Sequence, residues 1–277
     1  MSYYTSDNNN NFRNKHIIIT GATGGIGSVL VRTLYDLGAK LLLISHNEKK
    51  LKDKFNSILS SPKTPYHHTP LYEIIDLSLP KHITYQFPSI MKKLKGRLDI
   101  LLICHGKYNI SLIKDCDIPV FDNMINVNVR SVFHLMSMAT PFLKMTKGNV
   151  VVISSLEAKI PTKFGFLNSV TKAMINSLVE NSALELASFG VRVNAVAPGI
   201  TNTDHRIEGN FKEQHNNDFM KHCEEYFLLN KKPLVPENIV DTILFLASDD
   251  ASFMTGEIIY NDNGYSLNHD LSYNEGI

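Results

Sequence analysis

The sequence has few cysteines, almost no net charge and no long apolar run, and each shortage excludes a class of protein. Its 277 residues carry three cysteines and a formal net charge of +1. Cys104, Cys116 and Cys223 are an odd number at spacings that fit neither a disulfide framework nor a zinc site, so we expect reduced thiols in the cytoplasm or another intracellular reducing compartment. The near-zero net charge provides no long-range field that would attract nucleic acid or an anionic membrane.

The lack of a long apolar segment also limits how the chain is organised. No window reaches the roughly 18 uninterrupted apolar residues that a membrane-spanning helix needs, so we predict a soluble protein with no membrane span. Residues 1–13 are polar and rich in asparagine, without the apolar core of a signal peptide, and we predict a flexible tail there and another at 269–277. A hydrophobic share of 43% is ample for one core, which predicts a single domain over residues 14–268.

Short apolar runs alternate with segments of helical spacing along this domain. Apolarity within each run is continuous, which is typical of parallel strands that are covered on both faces. The alternation predicts an α/β fold: a Rossmann-type, doubly wound parallel sheet of about seven strands flanked by helices. Ligands of such sheets bind at the carboxyl ends of the strands. The predicted strands are His16–Thr20, Lys40–Ser45, Leu71–Ile75, Ile100–Cys104, Val150–Ile153, Arg192–Val196 and Glu257–Tyr260.

Two polar stretches interrupt the alternation. Residues 60–70 contain three prolines and are predicted to form a loop. The longer stretch, near 204–232, is interpreted as an insertion that forms a mobile lid or a substrate loop. It contains His205, His215 and His222, whose spacing matches no metal-binding pattern, so we predict no metal site.

A glycine-rich segment follows the first predicted strand directly and opens the next helical segment. It reads Thr-Gly-Ala-Thr-Gly-Gly-Ile-Gly from Thr20 to Gly27. Gly21 permits a tight turn, Gly25 lets the backbone approach a pyrophosphate, and Gly27 allows close packing of helix and strand. The amino terminus of the helix presents unpaired N–H groups to an anion, so the segment predicts dinucleotide binding.

These residues resemble the signature of the short-chain dehydrogenase/reductase family, and the resemblance runs from about His16 to Leu267. It implies a nicotinamide cofactor, a small carbonyl or alcohol as substrate, and a homo-oligomer or a subunit of a larger assembly. Asp76 and Leu77 resemble the pair that contacts the adenine ring, and Pro198, Gly199 and Thr203 resemble the loop that contacts the nicotinamide amide. The cofactor-binding residues that the resemblance implies are Gly21, Thr23, Gly25, Ile26, Gly27, Ser45, His46, Asp76, Leu77, Gly106, Lys172, Pro198, Gly199 and Thr203.

The end of the second predicted strand bears on the choice of dinucleotide. A carboxylate there would bind the ribose 2′-hydroxyl of NAD, whereas an arginine would accept the 2′-phosphate of NADP. Neither is present: the segment reads Ile44-Ser45-His46-Asn47, with no acid before Glu48. The missing acid favours NADP(H) over NAD(H), and the alternative for His46 is an ordinary surface histidine.

The resemblance also implies a proton-transfer site, in which one position differs from the family. Asn128, Ser155 and Lys172 match the family's asparagine, serine and lysine, but Asn168 stands where the family carries its proton-donating tyrosine. An asparagine amide has no proton that it can release near neutral pH. We therefore predict that hydride transfer is strongly impaired or absent, and that the chain is an NADP(H)-binding structural or regulatory subunit. The alternative is an active enzyme that uses Lys172, Ser155 and a water for proton delivery.

The fourth predicted strand departs from the family in a second way. It ends in Ile103-Cys104-His105-Gly106, where relatives usually carry two asparagines, an alanine and a glycine. Ile103 must then leave the stitching role of the first asparagine unfilled or repacked with apolar contacts. His105 is either a titratable group of the cleft or a histidine engaged in structural hydrogen bonds.

Overall fold

The computed structural model of the chain describes residues 11–60, 66–203, 205 and 213–268. Seven strands form one parallel sheet in the order β3-β2-β1-β4-β5-β6-β7. This confirms the predicted fold class, and the predicted strands recur with ends that differ by one or two residues. The strands are β1 His16–Thr20, β2 Lys40–Ser45, β3 Leu71–Ile74, β4 Ile100–Ile103, β5 Asn149–Ile153, β6 Arg192–Pro198 and β7 Ile258–Asn261.

Helices connect the strands and cover both faces of the sheet. One of them is interrupted, because Asn126–Arg130 forms a π-helical turn between α4 and α5. Such turns are frequent at functional sites. The helices are α1 Gly25–Asp36, α2 Glu48–Leu59, α3 Pro80–Lys93, α4 Ile118–Ile125, α5 Ser131–Thr146, α6 Phe166–Leu186, α7 Glu213–Cys223 and α8 Pro236–Ala247.

Two apolar clusters fill the space between the sheet and the helices. One lies under α1 and α8 and includes Ile17, Leu43 and Val240; the other lies under α3, α5 and α6 and includes Leu101 and Val193. Because every central strand is covered on both faces, its apolar run has no polar alternation. Among the described helices, none combines the length and apolarity required to cross a bilayer.

The structure describes part of the predicted amino-terminal tail and part of the predicted insertion, and in each it shows residues that pack against the domain. Phe12 is fully buried in the first cluster, so the packed domain includes a residue of the predicted tail. Within the predicted insertion, α7 contributes Phe219 and Cys223 to a small apolar cluster with Ile200 and Phe227. Those contacts fix this part of the insertion to the domain. Residues 1–10, 61–65, 204, 206–212 and 269–277 lie outside the described residues, and with them most of the two predicted tails and part of the predicted lid.

Candidate functional site

The carboxyl ends of β1 and β4 lie side by side in the sheet, at the point where the strand order reverses. Strand order reversal opens a crevice between the loops that leave neighbouring strands, and ligands of open α/β sheets bind there. The glycine turn follows β1, Gly106 follows β4, Ser155 follows β5, and Gly199 follows β6. The topology therefore brings most of the predicted site residues to one edge of the sheet.

The glycine turn is shaped by backbone contacts that no other residue type would permit. Gly21 has a φ of +64°, and a Cβ atom on it would lie 2.7 Å from the His105 nitrogen and 2.8 Å from the Cys104 carbonyl carbon. A Cβ atom on Gly27 would collide with the carbonyl oxygen of Gly21. A Cβ atom on Gly25 would lie 2.6 Å from Cγ2 of Thr203, in the loop after β6. The glycines thus keep space free at the amino terminus of α1, where the helix N–H groups are available to an anion.

Beside this turn, the side chains at the end of β2 bind one another. The hydroxyls of Thr23 and Ser45 lie 2.8 Å apart, and Ser45 also accepts the backbone N–H of Asn47 at 3.2 Å. The Asn47 side chain accepts the N–H of Lys50 and thereby caps α2. His46 is exposed between them. Of the polar side chains at this strand end, His46 is the one that points into solvent.

The predicted adenine pair lies after β3. Asp76 accepts hydrogen bonds from the backbone N–H and the hydroxyl of Ser78, at 2.9 and 2.6 Å. Leu77 is buried in the second apolar cluster. Burial acts to raise the pKa of Asp76, but the hydrogen bonds from Ser78 outweigh it and the pKa is lowered. The carboxylate therefore fixes its own turn and leaves one face exposed.

The end of β4, where the sequence departs from the family, is held by apolar contacts of Ile103 and hydrogen bonds of His105. Ile103 is fully buried in the second apolar cluster, so apolar contacts replace the polar stitching that the resemblance implies. His105 lies 2.7 Å from the hydroxyl of Thr20 through Nδ1 and 2.7 Å from the hydroxyl of Ser131 through Nε2. Burial, aided by the charge of Lys172, lowers the pKa of His105 to about 3. His105 is thus a neutral structural bridge and not a titratable group of the cleft.

Asn128 and Lys172 both approach Gly106, since a Cβ atom on this glycine would lie 3.5 Å from Oδ1 of Asn128 and 3.6 Å from Nζ of Lys172. The Asn128 amide accepts the backbone N–H of Lys107 at 2.7 Å and donates to the carbonyl of the same residue at 2.9 Å. Lys172 Nζ donates to the carbonyl oxygen of Ile153 at 2.7 Å. Burial lowers the pKa of Lys172 to about 8, although Cys104 and Glu157 act in the opposite direction. The ammonium group is consequently close to its point of proton release at physiological pH.

Asn168, on the first turn of α6, faces a carboxylate that the sequence did not point out. Its side chain is 3% exposed and donates from Nδ2 to Oε2 of Glu157, while its Oδ1 atom has no hydrogen-bond partner among the described residues. Glu157 is itself only 7% exposed. Its other carboxylate oxygen accepts from the hydroxyls of Tyr108 at 2.9 Å and Thr162 at 3.1 Å.

The serine pair after β5 completes this group of side chains. Ser155 accepts the backbone N–H of Glu157 at 3.1 Å, and Ser154 donates to Asn176 at 2.5 Å. Ser155, Glu157 and Asn168 are therefore linked directly. Regular spacing in the sequence identifies the role of neither Glu157 nor Tyr108, because Glu157 lies in a short 3₁₀ turn after β5 and Tyr108 in the irregular segment after β4. The sequence signal that could have pointed to Glu157 is Asn168, because an amide is smaller than the expected phenol and leaves room for another side chain.

Two further predictions concern the loop after β6 and the histidines of the insertion. Pro198 ends β6, and a Cβ atom on Gly199 would lie 2.7 Å from Cα of Asp262, so these strand ends approach closely. The described residues contain no group of three or more His, Cys, Asp or Glu side chains that could bind a metal ion. The ring of His205 lies 5.8 Å from the ring of Tyr108.

Comparison with known proteins agrees with this geometry. Residues 21–266 match a family described as enoyl-(acyl carrier protein) reductase. A tropinone reductase homolog from Arabidopsis thaliana is 30% identical over 260 residues, which cover 92% of each chain. The chain belongs to the short-chain dehydrogenase/reductase family.

Other members of the short-chain dehydrogenase/reductase family show how widely the similarity extends. The 3-oxoacyl-[acyl-carrier-protein] reductase of Rickettsia typhi is 30% identical over 263 residues, covering 91% of this chain and 97% of that protein. A solved short-chain dehydrogenase/reductase of unknown function from Caenorhabditis elegans superposes with a TM-score of 0.82 at 25% identity, covering 94% and 100% of the two chains. The family implies an oxidoreductase with a nicotinamide cofactor.

Proposed function

We propose that this short-chain dehydrogenase/reductase binds NADP(H) in preference to NAD(H), and that its carbonyl–alcohol hydride transfer is strongly impaired by the absence of a tyrosine at position 168. The observation that carries the proposal is the side chain of Asn168, which is hydrogen-bonded to Glu157 and stands where the resemblance places a phenol. The small carbonyl or alcohol substrate would bind next to it. A role as a cofactor-binding structural or regulatory subunit agrees with the same observation.

The shape of the crevice fits a dinucleotide. Close contacts around Gly21, Gly25 and Gly27 leave no room for side chains, so a pyrophosphate could approach the backbone and the amino terminus of α1. Thr23 and Ile26 flank the same turn. Asp76 and Leu77 would adjoin the adenine, Gly106 and Lys172 the ribose, and Pro198, Gly199 and Thr203 the nicotinamide. These assignments follow from the family resemblance and from the common edge on which the residues lie.

The bound nicotinamide would supply or accept the hydride, so the protein has to move the matching proton. Ser155 can donate a hydrogen bond to a carbonyl oxygen, and Lys172 adds a positive charge nearby. Asn168 can also donate a hydrogen bond, but it releases no proton near neutral pH. Loss of one proton-transfer group typically lowers a rate by on the order of 10²–10⁴. Impairment by this factor is what we expect for the tyrosine-dependent route.

The preference for NADP(H) rests on the charges at the end of β2. The first carboxylate after the strand, Glu48, is paired with Lys52 at 2.6 Å within α2. No acid precedes it to accept the ribose hydroxyl of NAD. His46 is exposed at this strand end, where a 2′-phosphate would lie. We therefore assign the phosphate contact to His46, with Ser45 placing it.

We also propose that the chain forms a homo-oligomer or enters a larger assembly. Several apolar side chains of α5 and α6 are exposed, with Phe133 at 57%, Met174 at 43% and Leu184 at 82% of their full area. Exposed apolar area on neighbouring helices is typical of subunit interfaces.

The first test is a titration of the purified protein with NADPH and NADH, followed by nicotinamide fluorescence and by the unfolding temperature. A ligand that binds only the native state raises this temperature according to its affinity and dose. We expect NADPH to bind more tightly, and His46→Asp to weaken NADPH binding about tenfold, which corresponds to ~1.4 kcal/mol. Asn181→Asp introduces the same charge change at an exposed position of α6 and should leave both affinities unchanged. Absence of binding by either cofactor would contradict the proposal.

A further inference from the structure

We infer that Glu157 is the proton-transfer residue of this site, and that the hydride transfer which remains without a tyrosine depends on its carboxyl group. This inference rests on the proposed function, because the hydride must be exchanged with a nicotinamide. It adds a catalytic residue to the site and explains what occupies the space next to Asn168.

The first argument is the position of the carboxylate. Asn168 is too short to reach as far from α6 as a phenol would, and the Glu157 carboxylate lies directly beyond the Asn168 amide, bonded to it. The backbone N–H of Glu157 is bound to the Ser155 hydroxyl at 3.1 Å, so Glu157 and the serine belong to one short turn. The acid is therefore bonded to the residue that replaces the tyrosine and comes from the same turn as the serine that would bind a carbonyl oxygen.

The second argument is that the carboxylate is fixed on its other side as well. Tyr108 and Thr162 both donate to its Oε1 atom. Tyr108 is itself held in place, because Asn128 binds both backbone groups of the preceding residue, Lys107. A proton-transfer group has to be oriented in this way to act on a bound substrate. Asn128 thereby acts as a positioning residue for Glu157, through Tyr108.

A cleft gives access to the Glu157 carboxyl group. Glu157 lines a cleft of about 670 Å³ whose walls are mainly apolar, with Leu112, Pro161, Phe166 and Val170 among them. Small-molecule sites are typically apolar clefts with a few placed polar groups. Ser155, Asn168 and Lys172 do not line this cleft, so it meets the proposed site at Glu157 alone, where the oxygen of a secondary alcohol or ketone could reach the carboxyl group.

The proposed step exchanges one hydride and one proton. When the alcohol is oxidised, its O–H bond would break and the proton would form a bond to a Glu157 carboxylate oxygen, while a bound oxidised nicotinamide would accept the hydride from the alcohol carbon. The electron pair of the O–H bond becomes the second bond of the carbonyl. In reduction the hydride adds to the carbonyl carbon and the protonated Glu157 returns its proton to the oxygen.

A measurement without cofactor tests the position of Glu157 by itself. The protein is labelled with carbon-13 at the glutamate carboxyl groups, and the signal that Glu157→Gln removes is followed while isatin, a reactive dicarbonyl compound, is added. We expect this signal to shift with isatin and the signal of exposed Glu185, assigned through Glu185→Gln, to stay in place. A Glu157 signal that does not respond to millimolar isatin would overturn the inference.

Turnover supplies the second readout, measured as oxidation of NADPH with isatin and with diacetyl. Glu157→Gln should lower the wild-type rate at least tenfold while the NADPH dissociation constant changes less than twofold. Tyr108→Phe and Thr162→Val each remove one hydrogen bond to the carboxylate and leave the carboxyl group in place, so they should cost less than tenfold. A loss for Tyr108→Phe as large as that for Glu157→Gln would overturn the inference, because it would assign the proton to the Tyr108 phenol. Glu185→Gln, which lies on the same helix as Asn168 but is exposed, should match the wild type.

Glu157 is buried, so its amide variant has to be shown to fold. Glu157→Asp retains the acid with a shorter reach, and recovery of part of the lost rate in this variant would support proton transfer. Equal rates for wild type and Glu157→Gln would overturn the inference, and so would a wild type that binds NADPH but reduces neither compound. Failure to bind NADPH at all would instead contradict the proposed function, so the two failures are distinguishable.

Discussion

The candidate site is formed by two connections, from β1 to α1 and from β5 to α6, and they differ in whether backbone or side chains shape the site. Around Gly21 and Gly27 the site is made of backbone, and the glycines matter because anything larger would collide. Between Ser155 and Asn168 the site is made of side chains, and Glu157 matters because three donors surround its carboxylate. The comparison teaches that the glycine turn and the side chains around Asn168 depend on different kinds of contact, so one of them can change while the other is kept.

The largest expected effect concerns the side-chain half of this comparison. Asn168→Tyr combined with Glu157→Ala should place a phenol in the space that the carboxylate now fills, and raise the rate of carbonyl reduction by on the order of 10²–10⁴. The single Asn168→Tyr variant should gain less, because the larger ring competes with Glu157 in a buried position. The measurement is NADPH oxidation with isatin for the wild type and for both variants. A wild type as fast as the double variant would show that the missing tyrosine is no impairment.

The next effect concerns the backbone half. Gly21→Ala combines a left-handed φ with contacts of 2.7–2.8 Å to the backbone after β4, so it should lower the free energy of unfolding by roughly 3 kcal/mol or more. Gly96→Ala is the matched control, because Gly96 has a φ of +73° and nothing within 4 Å of the added atom. The control should cost only about 1–2 kcal/mol, the strain of the left-handed conformation. Equal losses in urea unfolding would refute the steric account of the turn.

A further effect concerns Lys172, whose Nζ atom binds the end of β5. Its pKa of about 8 in the folded protein lies below the ordinary value of 10.5, so the unfolded chain binds more protons between these two pH values. Stability therefore gains a contribution from Lys172 as the pH rises from about 8 to about 10.5. The difference in unfolding free energy between wild type and Lys172→Met should shift in favour of the wild type over this range. A difference that does not vary with pH would indicate that Lys172 keeps an ordinary pKa when folded.

Much of the fold could be predicted because its signals are local. Continuous apolar runs indicated all seven strands, and the order of strands and helices indicated a parallel sheet. The boundary near residue 13 was less accurate, since a single aromatic residue, Phe12, packs into the core from an otherwise polar segment. Periodicity over several residues carries no information about one isolated contact.

The parts of the candidate site that depend on neighbouring residues could be predicted from the sequence, and the parts that depend on distant contacts could not. The glycine turn follows from residues that lie next to one another, and Lys172 follows from its place one helical turn after Asn168. The contact between Glu157 and Tyr108 joins residues 49 positions apart in two irregular loops. Similarly, His105 bridges Thr20 and Ser131, which come from β1 and α5. No spacing rule relates such residues.

The sequence by itself determined that this chain forms a doubly wound sheet with a glycine cradle at one edge, because hydrophobic periodicity and steric limits act between near neighbours. Only the tertiary structure decided that His105 is a neutral bridge and that a buried carboxylate stands beside Asn168. Protonation and hydrogen bonding depend on how far a group is removed from water and on which groups surround it. Those conditions arise only when β4, β5 and α6 are packed together.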